Sequence, residues 1–135
     1  MLKKFALIII VLITISSSIS VAQGNDSLDK KQKLYEVNCI KSLEVQYEGI
    51  VEHTIYNAIV FKRKYPAYNF ENILKSLKNV SQNKMNPIIR YEAQLAILFI
   101  ENYSLFEEVQ ISNRFSPELY KEISGKIHNK ILALN

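Results

Sequence analysis

Three observations predict an all-α fold. Apolar residues recur at spacings of three and four along most of the chain, the signature of helices with one buried face. No run alternates apolar and polar residues between turn signals, and only 3 glycines punctuate 135 residues, so no strand or hairpin is read. Two apolar segments also match one another at a constant offset of 38 residues: Ile50-Val51 with Ile88-Ile89, and Ala58-Ile59-Val60-Phe61 with Ala96-Ile97-Leu98-Phe99. The expectation is a single helical domain over residues 28–135 with about five to six helices.

The start of the chain reads as a targeting segment. Lys3 and Lys4 precede an apolar run, Phe5–Ile15, broken only by Thr14. Ser20-Val21-Ala22 sets small residues where a signal peptidase would cut before Gln23. The run is short against the roughly 20 residues needed to span a bilayer. Residues 1–22 are therefore expected to be a cleaved signal peptide, with export to the periplasm or the cell exterior. An uncleaved leader acting as a membrane anchor is the alternative. Removing 22 residues leaves 113, enough for one modest core. It also takes Lys3 and Lys4 out of the count, leaving 15 basic and 13 acidic residues, a net charge of +2. That balance gives no reason to expect a nucleic-acid partner.

Residues 23–27 form a polar lead-in, expected to be disordered. From Leu28, apolar positions 28, 35, 39, 40, 43 and 47 share one helical face, with Asp26 or Ser27 as cap. Cys39 falls among these residues and is expected to be a buried thiol. As the only cysteine it cannot form an internal disulfide, and pairing between chains is the alternative. Gly49 interrupts the pattern. A second helix is expected from Ile50 to Tyr65, ended by Pro66, which disfavours helical backbone in the residue before it. Lys62-Arg63-Lys64 lie in its last turn, where cations complement the helix dipole.

A third helix follows Asn69, with Phe70, Ile73, Leu74, Leu77 and Val80 on one face. Residues 81–86 read as a polar loop. Pro87 opens a helix to Tyr103 that is apolar on nearly every side from Leu95 to Ile100, so other helices should wrap it. Ser104 and Glu107 match a capping box, predicting a short helix to about Gln110. Ser116-Pro117-Glu118 starts the last helix, with Leu119, Ile123, Ile127 and Ile131 four apart. Gly125 inside it is expected to mark close approach by a neighbour.

The offset of 38 has a partner upstream. Ile40-Lys41-Ser42-Leu43 matches Leu74-Lys75-Ser76-Leu77 at an offset of 34. Each unit is then an amphipathic helix, a turn and a more buried helix, the pattern of an α-solenoid in which pairs stack to bury faces no pair buries alone. Asn86-Pro87-Ile88-Ile89-Arg90-Tyr91-Glu92-Ala93 resembles a HEAT-type repeat segment: a proline or aspartate, aliphatics, an arginine, then an alanine. The first unit departs from it, with Gly49 at the proline position and Glu52 at the arginine position. The resemblance covers roughly residues 40–103. It implies a short right-handed stack of helical hairpins, and a structural rather than catalytic role for Arg90.

No reactive constellation is read. His53 and His128, the only histidines, lack metal-ligand spacing, and no glycine-rich phosphate loop occurs. No catalytic, cofactor or metal residues are therefore expected. Tyrosine is unusually frequent, with 8 in the chain. Tyr56, Tyr65 and Tyr68 lie near Lys62, Arg63 and Lys64, an aromatic-basic grouping that could hold a protein or peptide partner. Packing of each ring with its hydroxyl satisfied is the alternative. The function expected is a non-catalytic protein-binding or scaffolding module, with homo-oligomers possible. A diverged enzyme or a membrane-anchored envelope protein are the other readings.

Overall fold

The computed structural model describes residues 24–112 and 114–133. The expected signal peptide and its cleavage point lie outside them. Among the described residues every regular element is helical. They are α1 (residues 24–44), α2 (Glu48–Lys64), α3 (Glu71–Asn83), α4 (Pro87–Glu101), a 3₁₀ turn (Tyr103–Leu105) and α5 (Glu118–Leu132). The chain divides into two compact units, one ending at Tyr35 and one running from Glu36 onward. In the first, the described residues are a helical stretch, mostly exposed, with Lys30 paired to Asp26 one turn earlier at 3.1 Å. This helix takes in residues 24–27, ahead of the Leu28 start read from the sequence.

In the second unit, α4 is the wall on which the other elements lean. It packs against α2, α3, α5 and the 3₁₀ turn. Eight of its residues are buried: Ile89, Glu92, Ala93, Leu95, Ala96, Ile97, Phe99 and Ile100. Its start is well built. Pro87 occupies the first turn, where no amide proton is missed, and the Asn86 side chain accepts from the Ile88 amide at 2.9 Å. The Asn69 side chain likewise accepts from the Glu71 amide at 2.9 Å at the start of α3.

The matched helices α2 and α4 run side by side in one direction. Near their starts, Asn86 donates to Glu48 Oε2 at 2.9 Å, and these two residues are 38 apart. At their far ends, Arg63 Nη1 donates to the Tyr103 hydroxyl at 3.3 Å. The preceding pair behaves alike. Asn72 at the start of α3 donates to Glu36 of α1 at 2.9 Å, and Lys84 just past α3 donates to the Val45 carbonyl just past α1 at 2.6 Å. Burial follows the same register. Val51, Ala58, Ile59 and Phe61 are buried, as are Ile89, Ala96, Ile97 and Phe99. Cys39 and Leu43 are buried, as are Ile73 and Leu77.

Several local expectations are corrected: residues 81–83, read as loop, are the end of α3. The capping-box helix to Gln110 is only the 3₁₀ turn. Beyond it, Phe106 N to Tyr103 O and Val109 N to Phe106 O bonds turn the chain so that Phe106 and Val109 are buried. Burying those two side chains outweighs the local cap. Gly125 meets no atom within 4 Å at its Cβ position and marks no close approach. The four-residue spacing of α5 does not keep one face inward. Each step of four turns about 40° past a full rotation, so Leu119 and Ile123 are buried while Ile131 is 55% exposed.

Candidate functional site

The last turn of α2 gathers most of the aromatic-basic grouping read from the sequence, and the structure leaves most of it half-buried, with Lys62, Arg63 and Tyr68 bonded within the fold. Phe61 is the hub. Its ring meets Tyr65, Tyr68 and Phe70 at centroid distances of 5.0, 5.3 and 5.6 Å. Lys62 caps its own helix end, donating to the Pro66 carbonyl at 2.8 Å, and its ammonium lies 4.9 Å from the Phe70 centroid and 5.7 Å from that of Tyr103. Burial lowers its pKa. Arg63 reaches the Tyr103 hydroxyl and the Glu107 carbonyl, pinning the chain that leaves α4. Tyr68 donates to the buried carboxylate of Glu36. Burial, that hydrogen bond and the Glu36 charge push its pKa up to about 12. Of the grouping only Lys64 is exposed, 5.4 Å from the Tyr65 ring centroid.

Tyr56 does not belong to this grouping. It is 1% exposed, and its hydroxyl donates between the carbonyl oxygens of Ser112 and Arg114, each 2.8 Å away. With His53 it also packs against Phe115, at 5.3 and 4.8 Å between centroids. A tyrosine so enclosed offers nothing to a partner. Its place in the sequence gave no hint of this, because the groups it serves lie more than 50 residues away.

The opposite ends of α2 and α4 differ. Tyr47 is 77% exposed, Ile50 47%, Met85 91% and Ile88 63%. These are matched positions: Tyr47 and Met85 are 38 apart, and so are Ile50 and Ile88. The Glu48–Asn86 hydrogen bond sets the two starts beside one another. Tyr91, one turn further along α4, is half exposed and donates to Ser124 of α5 at 2.9 Å. Large apolar side chains scattered singly on a surface are ordinary. Four at repeated register on adjoining helix starts form a patch.

Midway along the helices sits a buried acid. Glu92 is 5% exposed, and its Oε2 has no hydrogen-bond partner among the described residues. Burial first, and the Glu52 charge second, push its pKa up to about 7. Tyr120 of α5 also holds a buried hydroxyl without a partner among the described residues. Its pKa is raised by burial and then by Glu92, Glu52 and Tyr56. Sequence reading missed Glu92, because it sits where an arginine–alanine repeat pattern drew attention to Arg90 and Ala93. Arg90 itself is half-buried and donates to the Lys84 carbonyl at 3.4 Å, a tie to the loop that enters α4.

Among the described residues no cluster of three His, Cys, Asp or Glu could hold a metal ion. None of their helices is long and apolar enough to cross a membrane. Comparison of the chain with protein families, curated proteins and solved structures finds no match.

Proposed function

We propose that this chain is an exported, non-catalytic helical-repeat module that binds a protein or peptide partner. In this reading, α1–α2 and α3–α4 are two stacked units of a short α-solenoid of HEAT-like character. The same-direction pairing of α2 with α4, and of α1 with α3, supports it. Export rests on the basic–apolar–small pattern of residues 1–22, with cleavage between Ala22 and Gln23.

The observation that carries the binding role is the doubled exposure of Tyr47 with Met85 and of Ile50 with Ile88. A repeat that served only to build a core would bury its large aliphatics in both copies. Here two register positions are each left to solvent in both copies, beside positions that are sealed in both. Interfaces are enriched in aromatic residues and methionine around an apolar centre, as Tyr47 and Met85 with Ile50 and Ile88 supply here. The aromatic-basic end of α2 is the weaker candidate, since Lys62, Arg63 and Tyr68 already hold partners within the fold.

The test is capture of partners from an extract of the cells that make the protein, followed by titration of the purified partner. Ile50→Asp with Ile88→Asp should abolish capture, while Lys64→Glu should leave it intact. If the double variant recovers the same partners at the same strength, the patch is not the site.

A further inference from the structure

A second surface lies at the other end of α4, and the structure shapes it for a different kind of ligand. Between the end of α4, the 3₁₀ turn and the second half of α5 runs a groove of about 400 Å³. Its floor is apolar: Leu98, Leu105, Phe106, Ile127 and Ile131. Leu98 and Leu105 are each 39% exposed, so hydrocarbon is presented to solvent rather than sealed. The rim is cationic. Lys126 and Lys130 stand one turn apart on α5 along its edge. Lys126 is paired at 3.1 Å with Glu108, whose side chain is 87% exposed, so that pair is easily exchanged. Lys130 is exposed and has no anionic partner among the described residues.

We propose that this groove binds a long-chain carboxylate, with the alkyl chain on the Leu98–Leu105–Ile127 floor and the head group at Lys126 and Lys130. Two features select that chemistry. The volume falls within the range of small-molecule sites, roughly 300–1,000 Å³. A protein partner would need a contact of about 800 Å² on each side, far wider than this trough. The charge favours an anion: a neutral chain would fill the floor but leave the Lys130 ammonium without a counter-ion, and a cationic head would meet two like charges at Lys126 and Lys130.

The position also explains the drift of α5. The rotation that carries Ile131 off the core face brings it, with Ile127, onto the groove wall. The exposed end of the helix thus keeps an apolar stripe that the core does not use.

The test is a titration of the full chain with a fluorescent fatty acid, competed by hexadecanoate, hexadecanol or hexadecylamine. Hexadecanoate should displace the probe best, with the amine weakest. Lys130→Gln should weaken hexadecanoate by about fivefold, the worth of a screened surface charge pair, and leave hexadecanol unchanged. Leu105→Glu should weaken both chains by about tenfold or more, since it places a charge on the apolar floor. Circular dichroism of each variant checks that the helices remain. Equal affinity for the alcohol and the acid, or hexadecanoate binding untouched by Leu105→Glu, would overturn the proposal. Ile50→Asp with Ile88→Asp should leave hexadecanoate binding unaltered, which separates this site from the protein-binding patch.

Discussion

The two ends of the α2–α4 pair make a natural comparison. Both carry aromatic and aliphatic residues, and both are tied by a hydrogen bond between the paired elements. At the far end, Phe61, Tyr65, Tyr68 and Phe70 meet ring to ring, and Lys62 and Arg63 spend their donors on Pro66, Tyr103 and Glu107. At the near end, Tyr47, Ile50, Met85 and Ile88 remain largely exposed. A residue's type says little about its availability. What matters is whether the turn that follows the helix folds back to cover it. Residues 66–70 fold back over the end of α2, with Tyr68 N bonded to Tyr65 O. Among the described residues no such return covers the starts.

The widest expected contrast between the ends is in stability. Phe61→Ala removes the shared neighbour of three rings and should cost about 3–5 kcal/mol, as for other buried phenylalanines. Urea unfolding would measure it. A loss below about 1 kcal/mol would mean that the far end is as loosely held as the near one.

Next in size is a test placed between the ends. The Glu92 carboxyl is held neutral to about pH 7, against an ordinary value of 4.5. Below the ordinary value both folded and unfolded chains are protonated, and the stability associated with the neutral acid is fully present. As pH rises through the interval to about 7, the unfolded chain gives up its proton first, so stability falls. At the scale of 1.36 kcal/mol per unit, the fall is about 3 kcal/mol. Glu92→Gln should flatten the melting temperature across this window and leave the variant the more stable chain at pH 8. An unaltered pH profile would show that Glu92 is ionised in the fold.

Arg63→Ala comes third. It removes two charge-assisted bonds that hold the chain beyond α4, and should cost about 2 kcal/mol. Equilibrium unfolding checks it, with Lys64→Ala as the exposed neighbour expected to stay within about 0.5 kcal/mol. Smallest of all is the effect of Ile50→Asp and Ile88→Asp on the same curve. Each should shift stability by about 0.5 kcal/mol or less, because each side chain is near half exposed or more. A large loss from either would place it in the core and erase the contrast.

Much of the helical architecture was legible. The Pro87–Tyr103 run announced a wrapped helix because its apolar residues leave almost no wet face, and Asn86-Pro87 marked its start through a cap and a missing amide proton. Gly49, read as a break, lies instead inside the first turn of α2, since a single glycine there lowers helix propensity without ending it. Residues 104–116 were not legible. Their local cap signal competed with the burial of Phe106 and Val109, and only tertiary packing decides that contest. Part of the candidate surface was visible as composition, but its orientation was not. Tyr68 and Glu36 are 32 residues apart and Arg63 and Tyr103 are 40 apart, so no local pattern could pair them. The exposed positions could have been found from the repeat itself, by asking which matched residues recur as large and apolar outside the inward face.

The attachment of α5 has a consequence for how the molecule opens. The helix touches α4 less extensively than α3 does. Its lead-in is moored in part at one phenol, Tyr56, which serves two carbonyls of the passing strap. Such an element behaves as a separate cooperative segment, exchanging its amide protons by partial release while the α2–α4 pair stays shut. The fold thus carries a hierarchy: a slow inner layer that keeps the matched helix starts in register, and a faster outer arm whose departure would take one wall of the lysine-edged trough with it.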